Sequence, residues 1–304
     1  MVPKSIGVDK NANSRAPSIV KTFCLYTPPG ATNRRVGNDG PRSALRSPPL
    51  FRTAGLHAVA VGEALRNDGL DVWYQPKIDL KRKCLAGAEA LARIRHPQEG
   101  MLWPDSFLPG LDEDSLAQLT EHVLLATLRN WTAFADAGFN LHLAINIPAS
   151  VLSTLPICRL VSENRPGAEE WPGLILEISE DQIVRDIALA QNIAAELKAC
   201  GVSLAIDNFG AGYSSFSSLR TVPFAELKLA GQFVKGCATD ANNAAICQTA
   251  IDLAHRFGSM AVAEGVESMA DLQALVAMGC DFGQGDWWRR RCRASASSNC
   301  CANA

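Results

Sequence analysis

Short apolar runs alternate with amphipathic segments along most of the 304-residue chain, and this alternation is the strongest constraint on the fold. The apolar runs have the length of strands, and the segments between them have helical spacing. Predicted strands lie at 71–80, 84–94, 140–147, 174–178, 202–206, 225–229 and 260–263. Predicted helices lie at 54–65, 104–107, 114–138, 181–200, 241–257 and 269–278. Repeated strand–helix units predict a mostly parallel α/β sheet, and their number favours an eight-stranded barrel over an open sheet.

Two details of the first strand refine this prediction. Pro76 lies inside the predicted strand and cannot donate a ladder hydrogen bond, which indicates an edge or irregular position. No glycine-rich dinucleotide fingerprint follows the strand, which argues against a Rossmann fold.

The folded domain is predicted to cover residues 54–285, between two segments of different composition. Residues 1–53 are rich in Pro, Ser, Arg, Asn and Gly and show little periodicity, which predicts a poorly ordered extension. Residues 286–304 carry four arginines and three cysteines without strand or helix periodicity. The last strand of a barrel and its covering helix are expected in this segment. The sequence therefore predicts a barrel that is incomplete at its C-terminus, followed by a disordered tail. A frame shift near Gly285 would produce such an ending. An uncovered seam favours association, and a homodimer is therefore expected.

Composition argues against several classes of protein. The formal net charge of −2 argues against general nucleic-acid binding, and no apolar run has the length of a membrane span. The N-terminus lacks the apolar core of a secretory signal. The ten cysteines form no CxxC pair and the five histidines share no ligand spacing, which argues against a zinc site or a disulfide framework. Reduced thiols and a cytoplasmic location are expected.

Polar residues stand at or near the ends of six successive predicted strands. The clearest example is the apolar run 202–206, which stops at Asp207 and opens into a glycine-punctuated loop. The full set is Glu89, Asn146, Glu177, Asp207, Lys228 and Glu264. One such acid could be a satisfied core carboxylate, but six in register would converge on one face of a parallel barrel. Carboxylate and amide oxygens suit Mg²⁺ or Mn²⁺, and a lysine beside them suits a phosphate, so the residues predict a metal-dependent phosphoryl site.

Several ordered motifs resemble the EAL family of bacterial cyclic di-GMP phosphodiesterases over about residues 56–285. The naming motif is Glu89-Ala90-Leu91, and Asp207 begins a segment similar to the family's DDFGxGYSS loop. The other matching segments are Tyr74-Gln75-Pro76, Asn146 in AINIPAS, Glu177–Glu180, Lys228, Glu264–Glu267 and Gln284-Gly285. The resemblance implies a triose-phosphate-isomerase-type barrel with an irregular first strand, and hydrolysis of cyclic di-GMP to linear pGpG.

The resemblance also implies roles for individual residues. The first metal would be held by Glu89, Asn146, Glu177 and Asp207. The second metal would share Asp207 and add Asn208 and Glu264. Lys228 and Glu264 would be catalytic, and Gln75, Arg93 and Gln284 would contact the substrate. Glu180 and Glu267 would brace the loops.

The sequence departs from the family pattern at four positions. Asn208 replaces the second aspartate of the loop motif, and Ala230 replaces an aspartate after the strand lysine. Ala225 and Asp286 replace an aspartate and an aromatic residue. These changes predict a weakened second metal site with the first metal's ligands intact. The sequence therefore favours a phosphodiesterase with reduced activity, and the alternative is a non-catalytic cyclic di-GMP receptor or a protein-interaction domain.

Overall fold

The computed structural model describes residues 61–185, 187–211 and 222–288. The predicted extension over 1–53 and most of the predicted tail lie outside this part of the chain. Residues 61–66 are helical, in agreement with the predicted helix at 54–65 as far as it is described. No helix among the described residues is both long enough and apolar enough to cross a membrane.

Nine strands form one sheet, and eight of them close into a barrel. The strands are β1 (Leu70–Asp79), β2 (Cys84–His96), β3 (Gly100–Leu102), β4 (His142–Asn146), β5 (Leu174–Ser179), β6 (Val202–Phe209), β7 (Glu226–Leu229), β8 (Met260–Ala263) and β9 (Phe282–Gly283). All neighbouring pairs from β2 through β4 to β9 are parallel, and β3 extends the end of β2 as a short antiparallel strand. The predicted α/β barrel is confirmed.

Strand β1 runs opposite to the other strands of the barrel. It pairs antiparallel with β2 along its whole length and with β9 only at Ile78 and Asp79. The pairing with β2 shifts register between Lys77 and Ile78. Pro76 lies just before this irregularity, where only the β2 side of the strand is paired, so its missing N–H breaks no ladder on the other side. The predicted irregular first strand is confirmed.

Nine helices with assigned bounds lie between these strands in the described part of the chain. They are α1 (Pro104–Phe107), α2 (Glu113–Asp136), α3 (Ala149–Thr154), α4 (Ile157–Asn164), α5 (Glu180–Arg185), α6 (Ile187–Ala199), α7 (Gly231–Val234), α8 (Ala241–Arg256) and α9 (Met269–Ala277). Asp112, Asp240 and Ser268 accept hydrogen bonds from backbone N–H groups at the N-termini of α2, α8 and α9. The predicted helix at 181–200 corresponds to α5 and α6, and residue 186 between them lies outside the described residues.

The core combines an apolar shell with a charged pair inside the barrel. Aliphatic residues of β4 to β8 are almost fully buried, and Ala144, Ile175 and Ala205 form a cluster separate from the main core. Within the barrel, Lys77 of β1 donates two hydrogen bonds to Glu226, at 2.5 and 2.6 Å. Glu226 is the first residue of β7, so this ion pair lies at the amino-terminal end of the parallel strands, away from their polar carboxyl ends.

The strand that closes the barrel lies before Gly285, where the sequence analysis placed none. Strand β9 has two residues and pairs with β8 on one side and β1 on the other. The expectation that the last strand lies within 286–304 is wrong, because a two-residue Phe-Gly strand has no detectable alternation. Residues 286–288 continue in a helical turn, and Trp287 and Trp288 pack against the core. The expected covering helix and the rest of the tail fall on 289–304, outside the described residues.

Candidate active site

Four carboxylates surround the ammonium group of Lys228 at the carboxyl ends of the strands. Lys228 Nζ lies 2.5 Å from Glu177 Oε2 and 2.8 Å from Glu264 Oε1. It lies 3.2 Å from Glu89 Oε2 and 3.3 Å from Asp207 Oδ1. Four acids against one ammonium leave a formal charge of −3 when all are ionised, so the cluster attracts further cations.

Strand register brings these residues together although they are far apart in sequence. Asn146 at the end of β4 is level with Glu177 on β5, and Ser179 at the end of β5 is level with Asp207 on β6. Lys228 is level with Val262, two positions before Glu264. Parallel pairing thus places the other five predicted strand-end residues around the sixth, Lys228, as the sequence pattern predicts.

Two amide side chains donate hydrogen bonds to Glu89 in addition to its contact with Lys228. Asn146 Nδ2 donates to Glu89 Oε1 at 2.6 Å, and Gln284 Nε2 donates to Glu89 Oε2 at 3.2 Å. Glu89 thereby accepts hydrogen bonds on both oxygens and keeps a fixed orientation. Gln284, expected as a substrate contact, is 2% exposed and lies within the acidic cluster.

The cluster separates the pKa values of its acids. Burial opposes the charge of Glu89, but Lys228 and the amide of Asn146 outweigh burial and hold its pKa below the ordinary value. Burial and the charge of Glu89 raise the pKa of Glu177 well above the ordinary value. Burial raises the pKa of Glu264 to about 7, although Lys228 opposes the rise. Burial disfavours the ammonium of Lys228, but Glu177 and Glu264 outweigh it and raise its pKa well above the ordinary value.

The donor set fits a hard divalent cation. Glu177 Oε1 and Gln284 Oε1 are buried oxygens that accept no hydrogen bond within the part of the chain that the structure describes. Among those same residues, no group of three His, Cys, Asp or Glu side chains is arranged to hold a metal ion, because the acids converge on the ammonium of Lys228. The acids nevertheless supply carboxylate oxygens, which Mg²⁺ and Mn²⁺ prefer.

The end of β6 holds the residue expected to weaken the second metal site. Asn208 has a φ of 57°, in the left-handed region that Asn tolerates better than most residues. Its Nδ2 donates to Asp207 Oδ2 at 3.0 Å, so the amide uses one oxygen of the acid that is expected to bridge two metals. Glu180 Oε2 accepts from the N–H of Gly210 at 2.9 Å and thereby ties the loop after β6 to α5.

The remaining predicted residues lie around the cluster. Gln75 on β1 is the cross-strand partner of Glu89. Glu267 forms an exposed ion pair with Lys235 at 3.4 Å. Arg93, expected to contact a phosphate, is fully buried and donates to the carbonyl of Ala92 at 2.6 Å.

Two tryptophans that the sequence analysis did not single out cover Arg93. Its guanidinium carbon lies 4.3 Å from the ring centre of Trp103 and 5.6 Å from that of Trp73. The two rings meet edge to face at 5.8 Å. Strand alternation places Trp73 on the same face as Gln75, which is the signal that could have identified it; Trp103 lies after β3 and has no such signal.

The sequence model of the EAL domain family matches residues 58–291. The chain belongs to the EAL-domain family. The EAL domain is 33% identical over 241 residues to cyclic di-GMP phosphodiesterase PA2567 of Pseudomonas aeruginosa, a match that covers 73% of this chain and 40% of that protein. It is 32% identical over 241 residues to cyclic di-GMP phosphodiesterase RocR of the same organism, covering 78% and 62%. The chain thus spans less than two thirds of the length of either relative.

Solved structures show the same fold. The PaMucR phosphodiesterase, in a c-di-GMP complex, superposes on this EAL domain with a TM-score of 0.69 at 32% identity, covering 76% of this chain and 95% of that one. The FimX EAL domain of Xanthomonas citri, also in complex with c-diGMP, superposes with a TM-score of 0.70 at 24% identity and covers 78% and 93%. The second likeness bears on the fold alone.

Proposed function

We propose that this EAL domain hydrolyses cyclic di-GMP to linear pGpG in a reaction that depends on Mg²⁺ or Mn²⁺. The observation that carries the proposal is the convergence of four carboxylates on Lys228 at the carboxyl ends of the barrel strands. Relatives named as cyclic di-GMP phosphodiesterases, and a phosphodiesterase structure in complex with c-di-GMP, support the choice of substrate.

The residues divide into metal ligands and groups that act on the substrate. Glu89, Asn146, Glu177 and Asp207 would hold the first metal, and Asp207, Asn208 and Glu264 would hold a weaker second one. When bound, the cations neutralise charge on the phosphodiester and make the attacking water more acidic. Gln75, Arg93 and Gln284 are proposed as substrate contacts. Arg93 is fully buried beneath Trp73 and Trp103, so its contact with a phosphate would require the side chains that cover it to move.

Lys228 and Glu264 have different tasks in this proposal. Burial opposes the charge of Lys228, but the acids around the lysine outweigh burial, raise its pKa and keep it protonated. Lys228 therefore serves as a fixed positive charge and hydrogen-bond donor. Glu264 is proposed to transfer a proton to or from the attacking water; Glu264 Oε1 lies 2.8 Å from Lys228 Nζ, and in the metal-free protein burial raises the pKa of its carboxyl group to about 7.

Release of pGpG measured with Mn²⁺ tests the proposal. Glu89→Gln removes a charged ligand while keeping the side chain's shape, and we expect turnover to fall at least about 100-fold. Glu163→Gln is the matched control, because Glu163 is exposed and pairs only with Arg159 on the same helix among the contacts described. Turnover of Glu89→Gln equal to that of the unmodified protein would contradict catalysis at this site.

A second candidate function is a receptor that binds cyclic di-GMP without hydrolysing it. The observation in its favour is the Asn208 amide, which donates to Asp207 and brings no charge to the second metal. Calorimetry distinguishes the two functions, since a receptor binds cyclic di-GMP in the presence of metal while releasing no pGpG. A cytoplasmic location and a homodimer stay predictions.

A further inference from the structure

Two thiols on neighbouring helical segments lie within reach of bond formation. Cys158 is in the first turn of α4, and Cys200 follows the last residue of α6. Their sulfur atoms are 2.6 Å apart although the residues are separated by 42 positions. A disulfide bond is about 2.05 Å long, so a small side-chain rotation brings the sulfur atoms together.

Backbone carbonyls keep both thiols in this position. Cys158 Sγ donates to the carbonyl of Glu196 at 3.4 Å, and Cys200 Sγ donates to the carbonyl of Leu197 at 3.1 Å. Both acceptors lie in the last turn of α6. Each sulfur is therefore held by the same helix end, and the pair is organised before any reaction takes place.

A cleft gives small molecules access to one of the two thiols. It has a volume of about 460 Å³ and is lined by Leu155, Cys158, Arg159, Ile193 and Glu196, among others. Arg159 is largely exposed; its Nε pairs with Glu163 at 2.8 Å, and its terminal nitrogens, which have no other ion pair among the described residues, suit a carboxylate. Burial, and next the hydrogen bond with Cys158, raise the pKa of the Cys200 thiol to about 12. Cys158 lines the cleft and Cys200 does not, so an incoming disulfide meets Cys158 first.

We propose that Cys158 and Cys200 are a redox-active pair that closes reversibly into a disulfide by exchange with a small carboxylate-bearing disulfide such as oxidised glutathione. The Cys158 thiolate attacks one sulfur of the small disulfide, forms a mixed disulfide and releases one small thiol. Cys200 then loses its proton and attacks the Cys158 sulfur, which releases the second small thiol. Both cysteines are oxidised and the small disulfide is reduced to two thiols, so electrons and protons balance.

The other described cysteines lack this combination of proximity and access. Cys237, Cys247 and Cys280 are buried, and burial raises the pKa of each. Cys84 is exposed and forms no sulfur–sulfur contact among the described residues. Cys84 therefore serves as an internal control that reacts with the oxidant without closing a ring.

The test treats the folded full-length chain with oxidised glutathione and maps its peptides under non-reducing conditions. We expect a linked peptide pair that contains Cys158 and Cys200 and has lost two hydrogens, together with simple glutathionylation of Cys84. The melting temperature is expected to rise by about 5 °C or more, because the bond closes a long loop, and to return after dithiothreitol. Cys200→Ser is expected to stop at a mixed disulfide on Cys158 and to show no such rise, whereas Cys84→Ser keeps it.

Three results would overturn the proposal. The first is glutathionylation of Cys84 without the linked pair. The second is a wild-type reaction that stops at the mixed disulfide on Cys158. The third is a linked pair that forms only in urea, since the folded helices would then not bring the thiols together.

Discussion

The buried ion pair between Lys77 and Glu226 gives the sharpest prediction about stability. The two side chains are 3% and 6% exposed, and Lys77 Nζ reaches both oxygens of Glu226. Replacing Lys77 by Met keeps most of the side-chain volume and removes the positive charge. Glu226 is then left inside the barrel without its cation, which is the situation that makes buried charges costly.

The magnitude has an upper limit because a glutamate can take up a proton. Protonating a glutamate at pH 7 costs about 1.4 kcal/mol for each of the roughly 2.7 pH units above its ordinary pKa, or about 3.7 kcal/mol. Breaking a buried pair typically costs about 3–5 kcal/mol, so both estimates agree on about 3–4 kcal/mol for Lys77→Met at pH 7. The double replacement Lys77→Met with Glu226→Leu leaves no buried charge, and we expect it to recover most of this loss.

Urea unfolding at pH 7 and at pH 5 measures these values. The penalty of Lys77→Met is expected to shrink to about 1 kcal/mol at pH 5, because protonating a glutamate is easier there. Arg159→Met is the control; it breaks an exposed pair with Glu163 at 2.8 Å and is expected to cost less than about 0.5 kcal/mol. A Lys77→Met penalty below about 1 kcal/mol at pH 7, or a double variant as unstable as the single one, refutes the reasoning.

Three further predictions concern the site and the barrel's closure. Asn208→Asp is expected to tighten Mn²⁺ binding, measured by calorimetry, and to raise the rate of pGpG release, since an anionic oxygen replaces an amide. If neither value increases, even when Ala230→Asp is added, the cause of the reduced activity lies elsewhere. The pKa of Glu264 in the folded, metal-free protein is raised to about 7, so the stabilisation by its protonated form is complete below pH 4.5 and is lost as the pH rises through 7. Glu264→Gln is therefore expected to flatten this part of the metal-free protein's pH–stability curve. An unchanged slope would contradict this prediction. Gly285→Ala is expected to lower the free energy of unfolding in urea by at least about 3 kcal/mol, because Gly285 has a φ of 154° and an added Cβ would lie 2.4 Å from the backbone of Val266. Gly279→Ala is the control: its added Cβ meets no atom within 4 Å, and it should cost about 1 kcal/mol. Equal losses in the two variants would show that the structure relieves the contact with Val266 without cost.

The barrel and the centre of its site followed from the sequence because both depend on local patterns. The strands around Glu177, Asp207 and Lys228 are short apolar runs, and each polar residue lies one or two residues before the end of its strand. Parallel pairing then brings these places together without further information. The predicted bounds of β5 and β8 differ from the observed ones by at most one residue.

Features that depend on long-range pairing could not be predicted in this way. Strand β9 has two residues and exists only because β8 and β1 lie on either side of it. The Lys77–Glu226 pair and the Cys158–Cys200 contact join residues 149 and 42 positions apart, and neither spacing leaves a periodic signal. The covering of Arg93 by Trp103 likewise depends on how β3 folds back on β2.

The reversed direction of β1 decides where the chain enters the barrel. In a barrel whose strands are all parallel, the first strand begins at the end remote from the ligand. Here Leu70 is level with Ile94, so the polypeptide arrives at the same rim as the carboxyl ends of the other strands. A protein that binds just before β1, or a hinge movement there, therefore acts on the chain beside Trp73 and Arg93. Its effect does not have to be transmitted across the barrel.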